Sequence, residues 1–424
     1  PALWLEVARK LAQLAVGELI FDIDPSSDEW RSVGPTPEFA PHLTPNPLDD
    51  ETFVRDLHRL RALMRRPVFE GQPQSTGQVA ELRHVAQQVG LRLTDTLFSA
   101  DARSAVRRRL AEVDRGPARL TLRIAEGPRA DVALALPWEL LMPEDASFAV
   151  EDAKLDLVRD AVKPGAPVLD VPSAALSVAA TIAAPDDQTA LRHEDESFRL
   201  LKALAPLGQV VHFAELGEVG DLVDLVKRSH ATAVHFSGHG LPGELVFENE
   251  LGLSKRVRVA DLMKELRQRV QFSGARQPFP RLFFLASCYG ASSSATLGAG
   301  AMPDARAVRA EVEAALGEGP STAATLHREG FACVLGYFGP IGDAVSTAAE
   351  VAFYAALAEG YPVLTAAKQA RGALAREQGE AGVRYHYPLG WAQLAVYLRG
   401  KNLPLTARPR AAEDAALPPV RLEL

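Results

Sequence analysis

Two side chains in this sequence can do nucleophilic chemistry together, the thiol of Cys288 and the imidazole of His239. Each ends a short apolar run and is flanked by small residues, in Ser237-Gly238-His239-Gly240 and in Ala286-Ser287-Cys288. A thiol attacks a carbonyl as thiolate; a neighbouring imidazole favours that form and can then protonate the leaving amine. Gly240 permits a tight backbone approach, so its N–H and that of Cys288 can stabilise a tetrahedral oxyanion. Nucleophile, proton carrier and oxyanion donors are the parts of an acyl-transfer site. Taken singly, a cysteine at a strand end is most often a small buried hydrophobe, and a histidine a satisfied core or surface residue. The joint placement is what points to catalysis. The other cysteine, Cys333, lies inside the apolar run 331–337 and reads as core packing.

For His239 and Cys288 to meet, two strand ends must lie side by side. From residue 174 onward the pattern alternates strands and helices. Strands are predicted in 175–185, 209–216, 231–240, 280–290 and 331–340, and helices over 192–205, 218–229, 259–269, 343–359 and 363–377. Apolar runs alternating with helices predict a largely parallel, doubly wound α/β sheet, in which ligands sit at the carboxyl ends of strands. Upstream, an amphipathic helix reaches about residue 20. A loop or wrapped arm over 24–50 follows, carrying Pro25, Pro35, Pro37, Pro41, Pro45 and Pro47. Helical patterns around 52–65, 77–90 and 102–114 precede a strand at 118–127, a buried Trp138 and a strand at 154–161. The proline-bearing stretch 162–173 reads as a linker.

The chain has 424 residues, 47% of them apolar and 24% charged, ample material for a large core. A net charge of -8 gives no general reason to hold nucleic acid or an anionic membrane. The local run Arg107, Arg108 and Arg109 reads as a solvated helix face. No apolar run approaches the roughly 20 residues of a membrane span. Two cysteines exclude a disulfide framework and favour a reducing, cytoplasmic compartment. There is no repeat of solenoid length, no P-loop, HExxH, paired CxxC or EF-hand loop, so no cofactor is expected. Gly298 and Gly300 lack the spacing of a dinucleotide fingerprint, and Ser294 stands where a nucleophile elbow needs glycine.

The order of several segments resembles the CHAT family of peptidases, related to caspases and separases, over residues 85–400. The matching pieces are 136–141 (Leu-Pro-Trp-Glu-Leu-Leu), Ala184-Pro185-Asp186 before an acidic helix start, and His235-Phe236-Ser237-Gly238-His239-Gly240. They continue through Leu285-Ala286-Ser287-Cys288, the strand over 330–336, the helix with Phe353 and Tyr354 ending at Gly360, and the segment 388–391. The spacing of His239 and Cys288 also matches the roughly 50-residue interval of caspases. The caspase signature at the nucleophile is replaced by Ser287-Cys288-Tyr289-Gly290, and Phe338-Gly339-Pro340 stands where many relatives have an aromatic residue before proline.

The resemblance implies a caspase-like peptidase domain over 171–400 with a mostly parallel sheet flanked by helices. A packed, non-catalytic α+β part would span 85–170, after an extension at 1–84 and before a tail at 401–424. It implies a Cys/His dyad of Cys288 and His239 cutting a protein substrate, under control of an activating or inhibitory protein partner, in a bacterial defence or signalling system. The Ala, Arg and Pro richness suits a high-GC bacterium. A pocket for a basic P1 residue needs a carboxylate; Asp343 and Asp187 stand where separase-like relatives line S1, although Asp343 can equally serve its helix start. Glu194 is a poorer candidate on an exposed helix start. The low-complexity stretch after Cys288, with Arg306 and Arg309, is expected to be mobile and open to self-cleavage. The rival readings are a catalytically silent caspase-like interaction module and a small-molecule thiol hydrolase.

Overall fold

The computed structural model describes residues 18–25, 29–34, 39–70, 75–111, 118–127, 129–143, 147–151, 154–161, 163, 165–169, 176–188, 193–204, 210–271, 279–287, 321–339, 341–375, 378–380, 383–385 and 389–405. In chain order its strands are β1 (Glu18–Asp24), β2 (Glu29–Val33), β3 (His42–Pro45), β4 (Ala118–Ile124), β5 (Leu155–Ala161), β6 (Ser177–Ile182), β7 (Val210–Phe213) and β8 (Ala233–Ser237). They continue as β9 (Gly240–Leu241), β10 (Glu244–Glu248), β11 (Ser254–Arg258), β12 (Leu282–Ala286), β13 (Cys333–Tyr337), β14 (Gln378–Glu380), β15 (Val383–Tyr385) and β16 (Leu394–Leu398). The helices are α1 (Glu51–Glu70), α2 (Thr76–Leu97), α3 (Ala100–Ala111), α4 (Ala130–Leu134), α5 (His193–Leu204), α6 (Val219–Ser229), α7 (Val259–Leu266), α8 (Thr322–Glu329), α9 (Asp343–Ala358) and α10 (Val363–Ala375).

An 11-stranded sheet in the order β3-β2-β1-β4-β5-β16-β13-β12-β8-β6-β7 organises the chain. β1, β4, β5 and β16 form one parallel block. β13, β12, β8, β6 and β7 form a second. The two meet at an antiparallel seam between β16 and β13. This is the α/β class read from the sequence, and the sheet runs without a break across the proline-bearing stretch at 162–173. The central strands β8, β12 and β13 are buried at every residue, because helices cover both faces. Phe284, Tyr337, Phe353 and Tyr354 pack on the α9 and α10 side, and Val234, Phe236, Phe283 and Leu285 on the other. Each buried Phe contributes on the order of 2 kcal/mol. Among the described residues no helix is long and apolar enough to cross a membrane.

Three local expectations change. Residues 1–17 of the expected opening helix lie outside the described residues, and 18–20 belong to β1. The expected proline-bearing arm holds β2 and β3, an antiparallel meander at the sheet edge. Proline is tolerated there because edge strands leave backbone groups unpaired, and Trp30 and Ser32 turn inward from β2. Arg107 is half-buried, with Nε donating to the Pro143 carbonyl, so it is not simply a solvated charge.

The join between the two blocks is polar. Arg159 on β5, fully buried, makes a bidentate pair with Glu139 at 2.7 Å for both bonds, and also donates to the carbonyls of Leu134 and Leu136. Arg371 of α10 reaches the same carboxylate at 3.3 Å and donates to Leu394 O of β16. Burial alone would lower the basicity of Arg159, but the Glu139 carboxylate overrides it and raises its pKa. A Glu139→Ala substitution strands two buried guanidinium groups and should cost about 3–5 kcal/mol in urea denaturation. Glu81→Ala, which breaks the exposed Arg59–Glu81 pair, should cost less than about 1 kcal/mol.

Candidate active site

β8 and β12 lie side by side and parallel, with Ser237 opposite Ala286. Beyond that pair the ladder continues, since Gly238 N–H donates to Ala286 O at 3.3 Å. His239 follows Ser237 by two residues and Cys288 follows Ala286 by two, so both leave matched strands at the same offset. Cys288 itself lies outside the described residues, as do the stretch after it and Arg306 and Arg309. Space at Gly238 is tight: a Cβ there would meet a Phe236 ring carbon at 3.0 Å and the Ala183 carbonyl oxygen at 3.1 Å, so a larger residue would have to displace them slightly. His239 is half-buried, and its carbonyl accepts the Val246 N–H at 3.0 Å. Gly240 is buried and pairs with Leu245, so the turn that carries His239 is stapled to the small β9-β10-β11 sheet.

The other named residues are less closely gathered. Asp187, exposed after β6, accepts from Ser254 N at 2.8 Å and Ser254 Oγ at 2.7 Å, and these hydrogen bonds hold its carboxyl below the usual range. Asp343 is the first residue of α9, with Gly342 as N-cap; its side chain lies outside what the structure describes. Glu194 is exposed. Cys333 pairs with Leu282 at the amino end of β12, the end opposite the site, and burial pushes its thiol pKa up. A cavity of about 450 Å³ lined by Glu215, Asp221, Asp224, Lys227, Arg228 and His230 includes neither His239 nor Gly240.

Beneath the His239 turn lies a buried polar network. His235 on β8 sits 3.1 Å from Glu196 Oε1 of α5 and 3.2 Å from the Tyr354 hydroxyl of α9. Burial, with Glu350 and Glu196 nearby, raises the phenol pKa of Tyr354 well above its ordinary value. The phenol therefore stays protonated, and the imidazole lies within hydrogen-bond distance of both the phenol and the Glu196 carboxylate. Ser237 Oγ donates to the other Glu196 oxygen at 2.8 Å, and Ser346 Oγ donates to Glu350. Ligand atoms of Glu196, His235 and Glu350 lie within 4.8 Å of one another, a spacing a divalent cation can span, although hydrogen bonds already engage both imidazole nitrogens.

The CHAT domain family profile matches residues 79–400, more than half of the chain. The chain belongs to the CHAT family. No curated protein matches it. Among solved structures it is similar to caspase-1 from Spodoptera frugiperda, with 14% identity and a TM-score of 0.34 over 60% of this chain and 98% of that one. It is also similar to the separase of Saccharomyces cerevisiae in a separase–securin complex, with 11% identity and a TM-score of 0.48 over 91% of this chain and 30% of that one. The CHAT chain thus spans less than a third of that separase.

Within the CHAT segment, sequence reading picks out His239 but treats His235 and Tyr354 only as parts of motifs, and it passes over Glu196 and Glu350. A usable signal was present: a histidine at an interior position of an all-apolar strand must find polar partners. Glu196→Ala would leave His235 Nε2 and Ser237 Oγ buried without their acceptor. It should lower stability by at least about 2 kcal/mol in urea unfolding, whereas Asp187→Ala, at an exposed carboxylate, should cost less than about 1 kcal/mol.

Proposed function

We propose that this CHAT chain is a cysteine endopeptidase acting on a protein substrate, with Cys288 as nucleophile and His239 as its proton partner. The observation that supports this reading is the β8–β12 register, which pairs Ser237 with Ala286, the residues two positions before His239 and Cys288 in the sequence. In the proposed reaction the Cys288 thiolate attacks the scissile carbonyl, and the C–N bond breaks as His239 delivers a proton to the leaving amine. The oxyanion is received by the N–H groups of Gly240 and Cys288. Water, deprotonated by His239, then hydrolyses the thioester and restores the thiol. The glycine-packed Gly238 turn and the hydrogen bond from Val246 N–H to His239 O limit the freedom of the histidine backbone, the kind of preorganisation such chemistry needs.

Asp343 and Asp187 are the proposed acids for a basic P1 side chain. Asp187 stays ionised to lower pH than an ordinary aspartate, which suits pairing with a cation, though Ser254 already holds both its oxygens. An activating or inhibitory protein partner, a cytoplasmic setting and a role in bacterial defence or signalling complete the proposal. They rest on the family and on the sequence.

Mass spectrometry of peptides released from a denatured proteome, comparing the native chain with Cys288→Ala, tests the reading. Cuts that vanish with the thiol are expected, and His239→Ala should reduce their rate at least about a hundredfold. Cuts confined to Lys or Arg at P1, lost selectively with Asp343→Asn or Asp187→Asn, would identify the pocket acid. Identical peptide sets from the native and Cys288→Ala chains would overturn the peptidase reading.

A further inference from the structure

The sheet edge beside His239 carries a surface that the acyl-transfer chemistry does not use. Three loops meet there, 183–188 after β6, 214–221 after β7 and 248–254 between β10 and β11. Backbone bonds tie them together: Asp186 N–H donates to Gly252 O at 3.0 Å and Glu248 N–H to Gly217 O at 2.8 Å. Ala184 N–H donates to Glu248 Oε1 at 2.7 Å. The third loop is shaped by Asn249, whose Oδ1 accepts from Leu251 N at 2.9 Å and Leu253 N at 3.1 Å, and by Gly252 at φ 73°. The loops adjoin the His239 turn, because Ala183 N–H donates to Ser237 O at 2.8 Å and Val246 N–H to His239 O at 3.0 Å.

Two properties of this rim point to an occupant. Leu216, Leu251 and Leu253 are 55%, 78% and 41% exposed, although the backbone beneath them is held by the bonds just described. Aliphatic groups presented on a fixed backbone lose little further entropy when something covers them. The charge of the loops is also one-sided: they hold no lysine, arginine or histidine, and they carry Asp186, Glu215, Glu218 and Glu250. Basic residues flank the rim at Lys255 and Arg256 on β11, and at Lys227, Arg228 and His230, which line one cavity with Glu215 and Asp221. Such clustering of one sign attracts and orients cations.

We propose that this rim is a docking surface for a segment of the protein substrate that bears both basic and aliphatic side chains, held next to the His239 turn during cleavage. The proposal rests on the peptidase reading for the identity of its occupant. The leucines cover the aliphatic groups, and the carboxylates select Lys or Arg around them.

The test uses phage-displayed random dodecapeptides panned on the Cys288→Ala chain, followed by anisotropy titration of a fluorescein-labelled copy of the enriched sequence. Peptides rich in Lys or Arg interspersed with Leu, Ile or Val are expected. The double variant Leu251→Asp, Leu253→Asp should weaken binding at least about tenfold. Glu215→Gln with Glu250→Gln should weaken it severalfold and flatten its salt dependence. These side chains are exposed, and an unchanged circular dichroism spectrum would certify the fold. No enrichment of that composition, or binding by both variants within about twofold of the parent, would overturn the proposal. If Cys288-dependent cleavage of a short peptide persists while docking fails, only the docking surface is lost. If peptides dock as described but no cleavage depends on Cys288, only the peptidase reading is lost.

Discussion

The parallel ladder between β8 and β12 is the constraint on which the rest of this molecule turns. A parallel pair cannot be closed by a short hairpin, so the chain between these strands must cross over, and here it does so through β9, β10, β11 and α7. That crossover supplies the small sheet which holds the His239 turn in place. Burial on both faces fixes the register, because a slip by one residue would exchange the inward faces of Phe283 and Phe284 and set His235 among aliphatic groups. The place where the chain leaves β8 toward His239 thus follows from the packing of residues that do no chemistry.

The same face of β8 shows how polarity is tolerated at the centre. His235 is fully buried, yet α5 and α9 each deliver an acceptor or donor to it, and Ser237 shares the Glu196 carboxylate. The network links the helix that follows β6 to the strand that leads into the His239 turn. A comparable solution joins the two parallel blocks, where Glu139 is shared by Arg159 and Arg371, and Arg159 stands 4.8 Å over the ring of Phe338 at the end of β13. Apolar residues would pack these places more simply; charged ones require specific partners and so specify one arrangement.

Much of this was legible in the sequence because it follows from patterns local to each segment. β8, β12 and β13 are unbroken apolar runs, α9 and α10 have helical spacing, and Gly238 and Gly240 mark a turn. The start of β1 escaped because the expected opening helix ran over it, and β2 and β3 because their residues alternate between more and less buried positions and the prolines around them mimic a loop. The β10–β11 hairpin escaped because its second strand, Ser-Lys-Arg-Val-Arg, is mostly exposed and has no apolar face to detect. The partners of His235 and Arg159 escaped for another reason: Glu196, Tyr354 and Arg371 are brought to them from remote parts of the chain, and nothing in a linear pattern says which buried charge will meet which. His239 and Cys288 were picked out from sequence as candidates because each follows an apolar run and is flanked by small residues, while Asp187 is held to Ser254 by a loop contact that no spacing rule anticipates.

The seam between β16 and β13 has a consequence for the integrity of the chain. β5 and β16 are neighbours in one sheet, and Arg399 on the late side donates to Ala161 O on the early side at 2.7 Å. Covalent continuity through 162–173 is therefore not what keeps the early and late strands together. A nick there would produce two polypeptides that travel as one particle in native buffer and separate only when the sheet is dissolved, much as two interlocked castings stay assembled after the bolt is drawn.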